Sequence, residues 1–322
     1  MTNTKDKPEI VFMGTPGFAA GILSLLLEMG YPVKGIVTVP DKPAGRGMTA
    51  RSSSVKTTAL QFGIPVLQPE SLKEDSFVET LKQWNVPVFV VVAFRMLPRC
   101  VWEIPSCGCF NLHASLLPQY RGAAPINHVL INGEQETGVT TFLIDDHMDT
   151  GAILLQEPVP VDPGDNAGSL HDKLMVAGGP LVAKTIDGLF DGSLKATPQP
   201  LVYKGDLKTA PKISRDTCRI DWQQDPGTIA NLIRGLSPYP GAFSTLKTED
   251  SVQDIKIFGA RAEWATHSDT PGNIVTDNKK SMKVACQTGY VHILEIQAPG
   301  KKRLETPAFL AGFRNTRKAT FL

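Results

Sequence analysis

The sequence predicts an α/β protein in two parts, a parallel sheet covered by helices followed by a small β-barrel. Short β-branched runs alternate with helical patterns over about the first 190 residues. Short strands broken by turns follow from about residue 240. The length of 322 residues is that of roughly two domains, each able to bury a core.

Five apolar runs predict the parallel strands of the first domain. They are EIVFMGT (9–15), VKGIVT (33–38), IPVLQ (64–68), PVFVVVAF (87–94) and GCFNLHAS (108–115). Amphipathic stretches between them, Phe18 to Met29 and Ser71 to Trp84, fit helices. Runs as apolar as VFVVVAF are typical of central strands buried on both faces. Strand, helix and strand at this spacing predict a Rossmann-like parallel sheet domain.

Two further strands and a helix are expected to complete this domain. GVTTFLI and AILLQEPVPV flank an acidic loop, and the stretch from Ser169 to Phe190 has a helical period. The periodicity fades from Asp191 to Asp216, where three prolines stand among polar residues. We therefore predict a catalytic domain over 1–190, a linker over 191–216 and a second domain over 217–322.

The second domain is predicted to be an OB-type β-barrel. After a helical stretch from Pro226 to Gly235 come AFSTL, IKIFGARAEW, GNIVT, MKVACQ and YVHILEIQ, five strands in about 60 residues. The last 50 residues hold nine Lys or Arg against three acidic residues, a net +6, which leaves the first 272 at −5. Such an asymmetry suggests a surface that meets a polyanion, although basic faces are more often only solvated.

Cysteine usage and hydropathy exclude several classes of protein. The five cysteines are odd in number and have no repeated pair spacing, so they do not indicate a disulfide framework. Cys100, Cys107 and Cys109 are better explained as buried small side chains than as zinc ligands. The N-terminus lacks the apolar region of a signal peptide, and no run of 18 apolar residues occurs. We expect a cytoplasmic protein with no membrane contact.

Two glycine-containing loops follow predicted strands. MGTPGFAAG has a G-x-x-G-x-x-x-G spacing, and Pro16 removes an amide that a phosphate would use, so a tight turn is favoured over a dinucleotide site. PDKPAGRGMTARSSSVK (40–56) is long and irregular, with four basic residues against one acid. For this loop a mobile lid that meets a charged substrate is favoured over a solvated insertion.

The strongest chemical feature is the pair NLHAS and DDHMDTGAI. Asn111 and His113 alternate along a strand, so they point to one face at its C-terminal end, where open α/β sheets bind ligands. An amide N–H stabilises an oxyanion, an imidazole moves protons, and an acid such as Asp149 orients or charge-stabilises the imidazole.

The same residues leave other chemistries open but less favoured. Ser115 lacks a G-x-S-x-G elbow, which favours direct transfer of an activated carbonyl to an amine over a covalent acyl-enzyme. A metal site built from Asp145, Asp146, His147 and Asp149 would lack a helical i,i+4 pair of ligands.

These motifs together resemble a known family. NLHASLLPQYRGAAPI (111–126), DTG (149–151), the loop PDKPAGRG and APKI (210–213) ahead of a barrel are similar to the folate-dependent formyltransferases, over nearly the whole chain. The first two motifs resemble all such enzymes, including those acting on glycinamide ribonucleotide and nucleotide sugars. The loop and the barrel resemble the branch that formylates methionyl-tRNA.

The resemblance implies a reaction and its residues. Asn111, His113 and Asp149 would transfer the formyl group of 10-formyltetrahydrofolate to the α-amine of methionine on initiator tRNA, for translation initiation and without a metal. The folate pocket would be lined by Ser115, Leu116, Leu117 and Pro118. Arg46 in the lid would meet the acceptor end of the tRNA. The basic barrel, with Lys301, Lys302 and Arg303, would bind tRNA, and the protein is expected to be a monomer.

One departure from the family pattern and three alternatives stand beside this hypothesis. Relatives commonly read D-T-G-D where this chain has Ala152, which removes a carboxylate near the folate site. A small-molecule formyltransferase would use the same core without needing a basic barrel. A folate-dependent hydrolase would pass the formyl group to water, and a non-catalytic RNA-binding module would give no reason for Asn111, His113 and Asp149 to coexist.

Overall fold

The structure, a computed structural model, describes residues 7–44, 49–202, 205–313 and 319–322. Its contacts divide the chain into two compact units. Unit 1 comprises the chain up to Gly122 together with 136–160 and 171–209, and unit 2 comprises 123–135, 161–170 and 210–322. These two units are not divided at the predicted linker, 191–216. The division into a catalytic domain, a linker and a second domain stays a prediction.

Unit 1 is built on a seven-stranded sheet among the described residues. Its strands lie in the order β5-β2-β1-β6-β7-β8-β9. The first five are parallel, and β8 and β9 join antiparallel at one edge. Their bounds are β1 Ile10–Gly14, β2 Val33–Val37, β5 Val66–Leu67, β6 Val88–Val92, β7 Gly108–His113, β8 Glu136–Leu143 and β9 Ile153–Pro160. The Rossmann-like sheet is therefore confirmed, and its chain order reverses between β1 and β6.

Helices precede or follow these strands, and a hairpin lies beyond β2. The hairpin, which the sequence did not predict in the irregular loop, is formed by β3 Lys42–Ala44 and β4 Thr49–Arg51. The helices are α1 Gly17–Glu28, α2 Ser54–Gln61, α3 Asp75–Trp84, α4 Arg99–Trp102, α5 Pro125–Ile131, α6 Ala167–Phe190 and α7 Gln199–Val202.

Apolar side chains bury both faces of the parallel strands. Every residue of β1 and β6 is buried, as predicted for central strands. One face packs with α3 and α4 around Phe77, Leu81 and Phe89. On the other face, α6 approaches closely because it carries Gly178, where a Cβ would lie 2.9 Å from Leu112 Cδ2. This packing fixes β7, the strand that carries Asn111 and His113.

Unit 2 contains the antiparallel barrel. Its strands lie in the order β12-β13-β14-β11-β10-β16, with β15 paired to β14. An antiparallel bridge between Asn273 and Thr320 brings the last strand back beside the first, so the barrel is nearly closed. The bounds are α8 Pro226–Gly235, β10 Ala242–Lys247, β11 Val252–Trp264, β12 Ile274–Thr276, β13 Met282–Cys286, β14 Gly289–Gln297, β15 Leu304–Glu305, α9 Thr306–Gly312 and β16 Thr320–Phe321.

The barrel core is apolar and continuous with α8. Ile255, Ile257, Val284 and Val291 are fully buried, and Ile233 of α8 joins them. The predicted barrel is confirmed, and the short β15 and β16 were not predicted because two residues carry no period-2 pattern. In the described part of the chain, no helix is both long enough and apolar enough to cross a membrane.

Candidate active site

Asn111 and His113 lie in the C-terminal half of β7. Alternation puts both side chains on one face of the strand. His113 is buried with 6% of its surface exposed. Asn111 is half-buried, and its side chain makes no hydrogen bond with any residue that the structure describes. Its amide N–H is therefore available to an oxyanion at the carboxyl end of the sheet.

The turn after β7 is held by hydrogen bonds to the neighbouring strands. Ser115 Oγ donates to Gln119 O at 2.6 Å. Thr140 Oγ1 donates to Ser115 O at 2.6 Å and accepts from Leu117 N at 3.0 Å. Gln156 Nε2 donates to Leu117 O at 2.9 Å. The chain therefore reverses at a fixed position and returns to His113.

His113 lies between two acceptor oxygens. Its Nε2 is 2.9 Å from Tyr120 O. A carbonyl oxygen can only accept, so Nε2 carries the ring hydrogen and donates a hydrogen bond to it. Its Nδ1 is 3.8 Å from Asp149 Oδ2, beyond hydrogen-bond length but close enough for a charge interaction. Nδ1 is therefore the ring nitrogen left to exchange a proton, and it faces the carboxylate of Asp149.

Asp149 is held on a turned loop between β8 and β9. Its φ is 56°, a left-handed conformation that is uncommon for a non-glycine residue. Gly122 N donates to Asp149 Oδ2 at 2.9 Å. Within the loop, Asp145 Oδ1 accepts from His147 N and from Thr150 Oγ1, each at 2.9 Å. The carboxylate of Asp149 consequently has one backbone donor and one imidazole neighbour.

Two family models match this chain. The one described as "Formyl transferase" matches residues 9–186, and "Formyl transferase, C-terminal domain" matches residues 212–314. The chain belongs to the formyltransferase family. A methionyl-tRNA formyltransferase of Bacteroides fragilis is 49% identical over 97% of this chain and 97% of that protein. One of Flavobacterium johnsoniae is 47% identical over 95% and 96%. The predicted family resemblance is confirmed.

Solved structures show the same fold at low identity. HypX from Aquifex aeolicus in complex with tetrahydrofolic acid is 18% identical with a TM-score of 0.63, over 95% of this chain and 47% of that one, so this chain spans about half of HypX. An N-formyltransferase from Helicobacter canadensis in complex with folinic acid and dTDP-3-aminofucose is 19% identical with a TM-score of 0.61, over 88% and 97%.

The structure brings part of the predicted site of this formyltransferase together. Asn111, His113 and Asp149 lie in unit 1 with the contacts given above. Of the predicted folate contacts, Ser115 and Leu117 are buried, and Leu117 packs with Phe142 and Ile153. Pro118 is buried, and Leu116 lies half-buried against Gly138. These four residues shape the turn, and their contact with a donor stays a prediction.

The predicted tRNA contacts of the formyltransferase differ from one another in their surroundings. Arg46 lies outside the described residues. Lys301 and Lys302 are exposed, and Lys301 lines a cleft of unit 2. Arg303 pairs with Glu295 and lies 4.3 Å over the ring of Phe258. The three residues are consecutive in sequence but differ in their surroundings. Lys301 lines a cleft, Lys302 is exposed, and Arg303 is paired with an acidic residue.

The base of the predicted lid is an ion-paired cluster. Lys56 Nζ donates to Asp41 Oδ2 at 2.6 Å, and Gln68 Nε2 donates to Asp41 Oδ1 at 2.9 Å. These hydrogen bonds, that of Lys56 first, hold the pKa of Asp41 below its usual range. Ser53 Oγ caps α2 by accepting from Lys56 N at 3.1 Å. Both ends of the loop are thus fixed to the sheet edge.

Cysteines and acidic residues form no metal cluster within the part of the chain that the structure describes. Cys109 is buried as expected, and burial raises the pKa of its thiol. The expectation was wrong for Cys100, which is exposed at the start of α4, and Cys107 is half-buried. All five thiols are free.

Sequence reasoning missed one residue that contacts the loop carrying Asp149. Gln199 is 1% exposed, and its Nε2 donates to Asp149 O at 2.9 Å and to Gly151 O at 2.8 Å. Its Oε1 accepts from Arg121 Nε at 3.0 Å. Gln199 lies in the stretch that the sequence assigns to a linker. No periodicity marks it, and only its partners in space distinguish it from other polar residues there.

Proposed function

We propose that this formyltransferase transfers the formyl group of 10-formyltetrahydrofolate to the α-amine of initiator methionyl-tRNA. One observation carries the proposal: the half-buried amide of Asn111 has no hydrogen-bond partner among the described residues and shares its strand face with buried His113, which lies 3.8 Å from the half-buried Asp149. This arrangement suits an acyl-type transfer to an amine. The substrate is inferred from relatives named methionyl-tRNA formyltransferase that match nearly the whole chain.

The reaction requires one oxyanion site and one proton path. The methionyl amine nitrogen bonds to the formyl carbon, and the carbonyl oxygen takes up negative charge. The bond from the formyl carbon to N10 then breaks, and the proton lost by the amine ends on N10, giving N-formylmethionyl-tRNA and tetrahydrofolate. Asn111 stabilises the oxyanion, a contribution on the order of 10²-fold or more. His113 moves the proton through Nδ1, which contributes ~10²- to 10⁴-fold, and Asp149 balances its charge.

A cleft in unit 1 suits the donor. Its volume is about 750 Å³, and it is lined by 70–73, by 95–100 and by Asp146, which is in the same loop as Asp149. Leu97 and Met96 offer apolar contact to a flat ring, and Lys73 offers a cation to a carboxylate tail. Arg95 is fixed in the wall because its guanidinium donates to Pro69 O at 2.8 Å and to Glu70 O at 3.0 Å. A folate has both the ring and the carboxylates.

A second cleft, in unit 2, suits the phosphate backbone of the RNA. Its volume is about 590 Å³, and Arg215, Lys256 and Lys301 bring cations to it from three separate segments. Asp254 is the acidic residue of the lining and pairs with Arg215 at 2.7 Å. Phe243 and Ile213 are among the apolar residues of its lining. Of the predicted basic run, Lys301 is the residue that this cleft supports as an RNA contact.

A competition among acceptors tests the proposal. The full-length protein is incubated with labelled 10-formyltetrahydrofolate and, in parallel, with initiator methionyl-tRNA, free methionine, an amino sugar nucleotide, glycinamide ribonucleotide or buffer alone. We expect label in N-formylmethionyl-tRNA at a kcat/KM far above that for any small amine. Preferred transfer to a small amine indicates the small-molecule formyltransferase, and release of formate in buffer indicates the hydrolase.

A further inference from the structure

We infer that Gln199 is a positioning residue, which sets the place of Asp149 beside His113 during formyl transfer. The inference rests on the proposed function, because it concerns the same site. It assigns a role in the reaction to a residue that touches none of the reacting groups and acts through the loop between β8 and β9.

The Gln199 side chain connects three segments of unit 1 that are distant in sequence. Its Nε2 uses both hydrogens on carbonyls of the loop, those of Asp149 and Gly151. Its Oε1 accepts from Arg121 Nε and also from Arg121 Nη2. At 1% exposure the amide has little access to water, so these partners satisfy it. A side chain without an N–H donor would leave two carbonyls unpaired.

Those carbonyls lie on a turn in which Asp149 has an uncommon backbone conformation. Asp149 has φ 56°, which a non-glycine residue rarely adopts unless its surroundings impose it. The carbonyl of Asp149 and that of Gly151 flank Thr150, so the two bonds from Gln199 fix the turn on both sides. The Cβ direction of Asp149, and with it the carboxylate, follows from this turn.

The carboxylate is fixed a second time through Arg121. Gly122 N, the next amide along the chain, donates to Asp149 Oδ2 at 2.9 Å. The Arg121 side chain is held by Gln199 Oε1 at 3.0 Å. One buried amide therefore positions both the backbone of Asp149 and the segment whose N–H holds its carboxylate. The 3.8 Å separation of Asp149 Oδ2 and His113 Nδ1 depends on both contacts.

The backbone around Gln199 is anchored without its side chain. Thr197 N donates to Ile153 O and Ile153 N donates to Thr197 O, each at 2.8 Å, at the start of β9. A substitution at Gln199 consequently leaves the segment attached to the sheet, and we expect variants to fold. The substitution is then expected to change the conformation of the Asp149 loop without unfolding the protein.

Two substitutions separate positioning from simple space filling. Gln199→Leu removes every hydrogen bond of the side chain, whereas Gln199→Glu keeps its size and its acceptors for Arg121 but turns a carboxylate oxygen toward two carbonyls. We expect both to lower kcat by about 10- to 100-fold while the KM of the donor stays within about 3-fold, since a displacement near 1 Å costs up to ~10²-fold. If Gln199→Leu fails to fold, Gln199→Glu decides the test alone.

Thr185→Val is the control for the loss of buried hydrogen bonds. Thr185 is fully buried in the same unit, where its Oγ1 donates to Leu181 O at 2.8 Å and forms a second hydrogen bond of 2.8 Å with Thr141 Oγ1. Valine keeps the shape of the side chain and loses both bonds without touching the Asp149 loop, so kcat stays within about 3-fold of the wild type.

Wild-type protein is measured in the same assay. The proposed function and the role of Gln199 can therefore be contradicted separately. A wild type that does not formylate methionyl-tRNA contradicts the proposed function. An active wild type together with a Gln199→Glu variant of unchanged kcat overturns the role of Gln199, because size alone would then suffice. A fall in kcat for Thr185→Val equal to that of the Gln199 variants would also overturn it.

Discussion

Gly151→Ala is the substitution whose effect the structure predicts most directly. A Cβ at Gly151 would lie 1.7 Å from Leu143 O, and real Cβ atoms essentially never approach another heavy atom closer than 3.0 Å. The backbone must therefore move by at least the difference, 1.3 Å. Leu143 belongs to β8, which is paired on one side with β7 and on the other with β9. The loop, not the strand, will take up the shift.

That shift reaches the reacting groups because Asp149 is two residues away. A displacement of about 1 Å costs ~10²-fold in rate, so we expect kcat for methionyl-tRNA formylation to fall by about 10²-fold or more. The KM of the donor and the thermal midpoint are measured alongside kcat, to separate displacement of the loop from loss of the fold. Gly164→Ala is the control, because a Cβ there meets nothing within 4 Å. A folded Gly151→Ala protein with kcat within about 3-fold of the wild type would refute the reasoning.

Three further predictions follow from the described contacts. His113→Ala and Asp149→Ala should each lower kcat by at least ~10²-fold with donor affinity within a few-fold, and the double variant should lose much less than the product; multiplicative losses in steady-state kinetics would show that the residues act independently. Lys301→Glu should weaken tRNA binding and flatten the plot of log affinity against log salt by ~0.7 to 0.9 per lost phosphate contact, more than Lys302→Glu does, and equal effects in a binding titration would contradict the unit 2 cleft. Hydrogen bonds from Lys283 and then from His292 lower the pKa of Glu263 from 4.5 to about 2. Its ionised form therefore contributes stability above pH 4.5 that is lost as the pH falls through about 2. Glu263→Gln should lower Tm at pH 7 by no more than about 3 °C, with a gap that closes in acid; a gap that is constant with pH would contradict this.

The helices and strands with a strong hydrophobic periodicity could be predicted from the sequence. β7 was expected over 108–115 and is observed at Gly108–His113, and alternation alone puts Asn111 and His113 on one face. The strands of the barrel were found for the same reason. The hairpin of β3 and β4 was missed because three-residue strands, one of them containing a Pro, give no usable pattern.

The part of the site that sequence reasoning missed depends on contacts between distant residues. Gln199 is 50 residues from Asp149 and 78 from Arg121 along the chain, and nothing local distinguishes it. The stretch around it has too little periodicity for a helix or strand, so the sequence predicts a linker there. The sequence shows Lys301, Lys302 and Arg303 as one basic run, but Glu295 of β14 pairs with Arg303. A partner across a sheet decides which charge remains available.

The central claim is that Asn111 stabilises the oxyanion of a direct formyl transfer. Single-turnover rapid quench with saturating labelled 10-formyltetrahydrofolate and methionyl-tRNA measures that step for the wild type and for Asn111→Ala. We predict a transfer rate lower by about 10²-fold or more for the variant, with donor and tRNA dissociation constants within about 3-fold of the wild type. An unchanged rate of transfer in the folded variant would contradict the account.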